Sequence, residues 1–363
     1  MNGSTDFTRP FKDARWVDVV PRRVACPDLP PGVLLHAGPP LHGAPPAPLM
    51  NAAIQALLFD ERAANPTEAR DLLLRREVEL RPAQDYAVVT PLAQVVAASM
   101  LLVVVQQQHE VCYAPVVEGP APALRFGCAA PECVQRLSDY SVWLERSVAP
   151  HVRREPMAID ALVRTAITAG DECHARTGAA NEALVSNLSG LDAGAAERLR
   201  ANPAFVLPIL MAAAAAAMRS RRCSVAAIGG NGVDFGLRYR GEPQWRQARA
   251  QAPRGVLFEG MKALTPLAAI GDSAVVDFCG LGGQALCVAP LLAAEWNAVL
   301  PADAVSRRNT IIDPDTGIVD AARVARSARA PLINLAILDQ GGAAGLIGRG
   351  FYSPPLALFT PAR

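Results

Sequence analysis

In "MAAAAAAMRSRRCSVAAIGGNGVDFGLRYRG", residues 211–241, two kinds of chain meet. The alanine tract 212–217 is a strong helix former. After Arg222 β-prone residues alternate with glycines, and Asn231-Gly232 is the dipeptide of a tight hairpin turn. A helical region therefore ends near residue 220, and paired strands begin just beyond it.

Upstream the helical texture reaches back to about residue 131. Both "PECVQRLSDYSVWLERSVAPHV" and "DALVRTAITAGDECHARTGAANEALVSNL" are amphipathic. Before them, "VLLHAG" (33–38) reads as a buried strand ending in a turn. A helix is expected over 49–64, stopped by Asn65-Pro66, and another from Thr67, which would cap it. Residues 88–105 read as helix then strand, with a further strand near "VCYAPVV". Downstream, "GVLFEG" and "SAVVDFCG" read as strands and 283–298 as a helix. A turn at "DPDTG", a helix over 320–328 and the buried strand "PLINLAIL" follow. The predicted class is α+β (mixed α/β) and multidomain: an N-terminal mixed region 1–120, a helical region 121–220 and a C-terminal mixed region 221–363.

The 363 residues are 51% hydrophobic, enough for a sizeable core, and carry a net charge of +1. No basic block points to nucleic acid or an anionic membrane. The apolar stretches 91–105 and 205–218 are shorter than the roughly 18–20 residues that span a bilayer. "MNGSTDFTRPFKDARW" carries no apolar signal segment, so the expected location is cytoplasmic. The eight cysteines read as reduced thiols. Cys128 and Cys133 have no second pair with which to hold zinc, so no metal site is expected.

Five stretches carry candidate chemistry. In "HAGPP" (36–40), His36 follows a strand and Gly38 permits a positive φ. In "GDECHARTGAANEA" (170–183), a helix would set Asp171 and His174 on one face and pair Glu172 with Arg176. Proton transfer, metal binding and a plain solvated face all suit that spacing. "GGNGVDFG" (229–236) offers Asn231, Gly232 and Asp234. "IGDSAVVDFCGLGG" (270–283) combines Asp272, Ser273 and Asp277 with Gly280, Gly282 and Gly283. Glycines ahead of a helix can present free N–H groups to an oxyanion or phosphate. "LDQGGAAGLIGRG" (338–350) places Arg349 after a strand, and arginine suits a phosphate or carboxylate. There is no P-loop, no complete GxGxxG and no nucleophile elbow. Together these stretches have the composition of a site for a small anion.

The ordered set "LLHAGPPL", "LRFG" (124–127), "GDECHARTGAA", "GNGVDFG", "IGDSAVVDFCGLGG" and "PLINLAILDQGGAAGLIGRG" resembles the DUF1116 family, that of the AllG (YlbE-like) subunit of oxamate carbamoyltransferase. The resemblance implies a mixed α and β fold with a helical insert. It implies an enzyme subunit working with FdrA-like and DUF2877-type subunits. Their reaction interconverts carbamoyl phosphate and a small amide such as oxamate with a product such as oxalurate plus phosphate, in allantoin breakdown. No cofactor is implied, and a homo-oligomer is left open. Carried onto this chain, the catalytic positions are Asp272, Asp277, His36 and His174. The substrate-binding positions are Gly38, Asp171, Glu172, Arg176, Asn231, Gly232, Asp234, Ser273, Gly280, Gly282, Gly283 and Asn334, with Arg349 beside them. Asp272 and Asp277 would orient the nucleophile nitrogen or an arginine; His36 or Arg176 would touch carbamoyl or phosphate oxygens. Three departures stand out, one of them the replacement of an asparagine-rich stretch by "GAANEA". The match begins almost at the N-terminus, which implies a missing or shortened first subdomain. Asp339-Gln340 replaces His-Lys, which removes positive charge. The alternatives are a non-catalytic scaffold or anion-binding subunit, and a ureide amidohydrolase-like activity.

Overall fold

The computed structural model describes residues 6–220 and 223–360. The helix Val206–Arg219 is buried at every position from Pro208 to Met218. Alanine makes this workable, because methyl side chains let neighbouring backbones approach closely. Pro208 falls in the first turn, where its missing N–H has no intrahelical acceptor anyway. Against this helix pack the strands Leu101–Gln107, Glu110–Pro115 and Val225–Asn231 and the short helix Ala274–Phe278.

Helices and strands share one mixed α+β architecture with several small sheets. One antiparallel sheet runs Glu110–Pro115, Leu101–Gln107, Arg15–Pro21, Met157–Ala158. A second runs Ile270–Gly271, Val225–Asn231, Asp234–Tyr239, Arg246–Arg249, and contains the hairpin expected at Asn231-Gly232. A third runs Arg254–Leu257, Leu346–Tyr352, Ile333–Leu338. Val33–His36 and Glu79–Pro82 form a parallel pair. The largest apolar cluster joins Phe7 and Trp16 to the alanine helix, to Phe235 and Phe278 and to Phe359. A second cluster packs around the helix Ala47–Phe59.

Four local expectations are corrected. Residues 88–99 hold no helix, because their backbone bonds to other segments. Val96 pairs with Leu35, the Ala93 N–H donates to the Arg125 carbonyl, and Asp60 accepts from the Ala98 and Ser99 N–H groups. The cap of Pro66–Leu74 is Asn65, not Thr67: Asn65 Oδ1 accepts the Glu68 N–H at 3.0 Å. "SAVVDF" is a helix, Ala274–Phe278, despite its β-branched residues, because it packs on the alanine helix. Residues 171–177 are not helical; the next helix begins only at Gly178. Gly170 and Cys173 both take positive φ, and the carboxylates between them turn inward to backbone N–H groups.

Among the described residues no helix is long and apolar enough to cross a membrane. The eight cysteines are free thiols, with Cys128 and Cys133 Sγ 3.9 Å apart.

Candidate functional site

A cavity of about 610 Å³ opens where the 170–179 loop meets the 125–126 turn, Ser273 and the strands bearing Asn334 and Arg349. Pro91, Leu92 and Leu207 are among its apolar lining residues. Its polar groups converge from distant parts of the chain: Arg125, Asp171, His174, Arg176, Ser273, Asn334 and Arg349.

Behind the cavity wall lies a hydrogen-bonded group centred on Asp277, which is fully buried. Asp277 Oδ1 accepts the backbone N–H of Gly283 at 2.7 Å and of Asn334 at 3.0 Å. His174 Nδ1 donates to Asp277 Oδ2 at 2.7 Å. Nε2 makes no bond to protein among the described residues. Burial alone would lower the His174 pKa. The charge and hydrogen bond of Asp277, with the charge of Glu172, outweigh it and raise the ring above its ordinary value.

Glu172 is buried beside this pair. It accepts from the backbone N–H groups of His174, Ala175 and Arg176 at 3.2, 2.5 and 3.0 Å, and from Asn334 Nδ2 at 3.1 Å. Burial pushes its carboxyl up to about 7 against those bonds and the His174 charge. Asp171 caps the helix Gly178–Asn187 from a distance, its Oδ2 accepting the Ala179 and Ala180 N–H groups at 2.8 and 3.1 Å. That helix terminus is thus already occupied by a protein carboxylate. The N–H groups of Gly282 and Gly283 are likewise taken, by the Glu172 carbonyl at 2.7 Å and by Asp277. The glycine run therefore holds the Asp277 group in place and presents neither N–H to the cavity.

Asp272 faces away from the cavity although Ser273 beside it lines the wall. It is fully buried and accepts from the Gly38 N–H at 2.8 Å, Gln84 Nε2 at 2.6 Å, and the Thr90 N–H and Oγ1 at 2.9 and 3.2 Å. Burial pushes its carboxyl up to about 7. Asn231 joins the same knot through Nδ2 on the Pro39 carbonyl at 3.0 Å. His36 is close by in sequence and fully buried. Burial lowers its pKa to about 4, so the ring is neutral, with Nδ1 donating to the Ala37 carbonyl at 2.7 Å. Gly38, Asn231 and Asp272 thus come together in space outside the cavity lining, with His36 two residues before Gly38 and its Nε2 buried without a partner among the described residues.

The remaining positions divide. Arg176 reaches Glu295 at 3.8 Å at the cavity edge, not Glu172, and Arg349 is exposed on its strand. Gly232 and Asp234 belong to the hairpin, and Gly280 packs near Gly317. Arg125, not singled out from the sequence, lies almost wholly buried in the cavity wall with its guanidinium 4.3 Å over the Phe126 ring. The "LRFG" match pointed at the segment; one arginine among many gave no reason to choose it. Among the described residues no group of three His, Cys, Asp or Glu side chains is placed to hold a metal ion.

A family model described as oxamate carbamoyltransferase subunit AllG matches residues 78–273. The oxamate carbamoyltransferase subunit AllG of Escherichia coli (strain K12) is 29% identical over 386 residues, covering 96% of this chain and 92% of that protein. The uncharacterized protein YahG of the same organism is 29% identical over 370 residues, covering 91% and 77%. A conserved protein of unknown function from Enterococcus faecalis V583 has a similar crystal structure. Its TM-score is 0.83 at 24% identity, over 98% of this chain and 94% of the other, which establishes a shared fold.

Proposed function

This chain belongs to the family of the oxamate carbamoyltransferase subunit AllG, and from that premise we propose that it is a subunit of a carbamoyltransferase whose 610 Å³ cavity is the reaction site. The substrates are carbamoyl phosphate and a small anionic amide such as oxamate; the products are oxalurate and phosphate. The partners are FdrA-like and DUF2877-type subunits, and the setting is cytoplasmic ureide catabolism.

The observation that carries this reading is the pairing of His174 with buried Asp277 at the cavity wall. Asp277 fixes the ring with Nδ1 protonated and leaves Nε2 free for a ligand of the cavity that His174 lines, and it stabilises the imidazolium. In the phosphorolytic direction a phosphate oxygen attacks the carbamoyl carbon of oxalurate, and the bond from that carbon to the amide nitrogen breaks. His174 Nε2–H protonates the departing nitrogen, giving oxamate, and regains a proton from the attacking hydroxyl of phosphate. A proton donor placed at that nitrogen contributes on the order of 10²–10⁴-fold. Arg176 and Arg349, at the edge, supply charge for the phosphate dianion.

The test is phosphorolysis of oxalurate by the chain co-purified with the products of neighbouring FdrA-like and DUF2877-type genes. Phosphate-dependent release of oxamate supports the reading. Hydrolysis without phosphate would indicate an amidohydrolase instead, and binding without turnover a scaffold or anion-binding subunit.

A further inference from the structure

Resting on that reading of the cavity, we propose that Arg125 and Asn334 set ligand specificity: Arg125 holds the carboxylate of the substrate, and Asn334 accepts an N–H from its amide.

Arg125 lies in the short turn Leu124–Phe126, 7% exposed, with its guanidinium stacked on Phe126. Its Nη1 is buried without a partner, and it makes no ion pair among the described residues. Glu118 lowers the cost of its charge, but Glu118 Oε1 is engaged by the Leu124 N–H at 2.6 Å and the two side chains do not pair. Leaving a guanidinium desolvated and unpaired is costly. A ligand carboxylate in the cavity removes that cost and matches the planar fork of donors.

Asn334 presents the opposite need. Its backbone N–H is taken by Asp277 and its Nδ2 by Glu172. The amide cannot be flipped without setting Oδ1 against a carboxylate that already gathers three backbone N–H groups. Oδ1 is therefore held as an acceptor, and it is buried with no partner among the described residues. Arg125 Nη1 and Asn334 Oδ1 belong to residues that line the same cavity. One lacks an anion, the other an N–H donor. A planar molecule with a carboxylate at one end and an amide N–H at the other supplies what each lacks. A simple dicarboxylate or a neutral diamide satisfies only one.

The experiment is isothermal titration of the full chain with oxamate, oxalate and oxamide, on wild type, Arg125→Ala, Arg125→Lys and Asn334→Ala, each checked for an unchanged thermal midpoint. Oxalate lacks the N–H and oxamide the carboxylate, so wild type alone already reads both contacts. Wild type is expected to bind oxamate about 10-fold or more tighter than either analogue. Arg125→Ala should abolish the preference for oxamate over oxamide, with Arg125→Lys intermediate. Asn334→Ala should abolish the preference for oxamate over oxalate. Equal binding of oxamate and both analogues by wild type, or unchanged oxamate affinity in both alanine variants, overturns the inference while leaving the proposed reaction standing. Preserved specificity with no carbamoyl transfer by the complex overturns the reaction and leaves the inference. Failure of wild type to bind oxamate overturns both.

Discussion

His174 Nδ1 stands 2.7 Å from Asp277 Oδ2, with the carboxylate fully buried and the ring at the cavity wall. The two residues are 103 positions apart in sequence. Their contact gives the cavity an oriented, proton-bearing group. His174→Gln is expected to lower turnover on the order of 10²–10⁴-fold in the co-purified complex while leaving oxamate affinity within a few-fold. Asp277→Asn should lower it similarly and move the pH profile to lower pH, because the ring loses the charge that raises its pKa. Turnover retained within about 3-fold in His174→Gln would remove the residue from the mechanism.

Stability should fall as pH rises toward neutrality. Asp272 and Glu172 are held near 7 by burial, and His174 is raised as well. For a group raised in the folded state, the folded protein binds the proton more tightly than the unfolded chain. The stabilisation is complete below the unfolded pKa and disappears as pH passes the folded pKa. For the two carboxyls that window runs from about 4 to about 7. His36, lowered to about 4, pulls the other way over the same range, but one ring is outweighed by two carboxyls, so urea midpoints measured across it should decline. Glu172→Gln should flatten the decline, and a midpoint that rises steadily from pH 4.5 to 7.5 would contradict the assignment.

Two glycine variants separate the two knots. An alanine Cβ at Gly38 would meet Gly230 C at 2.3 Å with φ at +75°, so Gly38→Ala should destabilise the fold by at least about 1–3 kcal/mol. At Gly282 it would meet Asp277 Oδ1 at 2.2 Å with φ at +52°, displacing the carboxylate that orients His174. Gly282→Ala should therefore lose turnover beyond what its shift in melting temperature explains. Equal kinetic damage from both variants, scaled to stability, would argue against a special link to His174.

Asp171→Ala removes the remote cap of Gly178–Asn187 and should cost about 1–2 kcal/mol, read by thermal denaturation. Asp171→Asn keeps one acceptor oxygen and should recover part of that loss.

Much of the framework could be read from the chain, because it follows from local chemistry. The alanine tract formed its helix, and Asn231-Gly232 formed its hairpin. The failures arose where distant contacts override local pattern. Asp171, Glu172, His174 and Arg176 imitate a helical face, yet Glu172 turns inward to its own backbone and Asp171 to a helix it precedes. Val275 and Val276 favour a strand until packed on alanines. Asp272 and Asp277 look alike in sequence, five positions apart. One closes a knot remote from the cavity and the other braces a cavity histidine. Arg125 was hidden because its isolation, the property that gives it meaning, exists only once the chain has folded.

The donors to Asp272 come from residues 38, 84 and 90, and the group around Asp277 is completed by Gly283 and Asn334. A polypeptide trimmed to the stretch 78–273 would leave Asp272 without its Gly38 donor and would lack Asp277 altogether. During synthesis, too, the ribosome must release the strand Ile333–Leu338 before His174 acquires its complete surroundings. The Asp277 group in the cavity wall is thus one of the last features a nascent chain can complete.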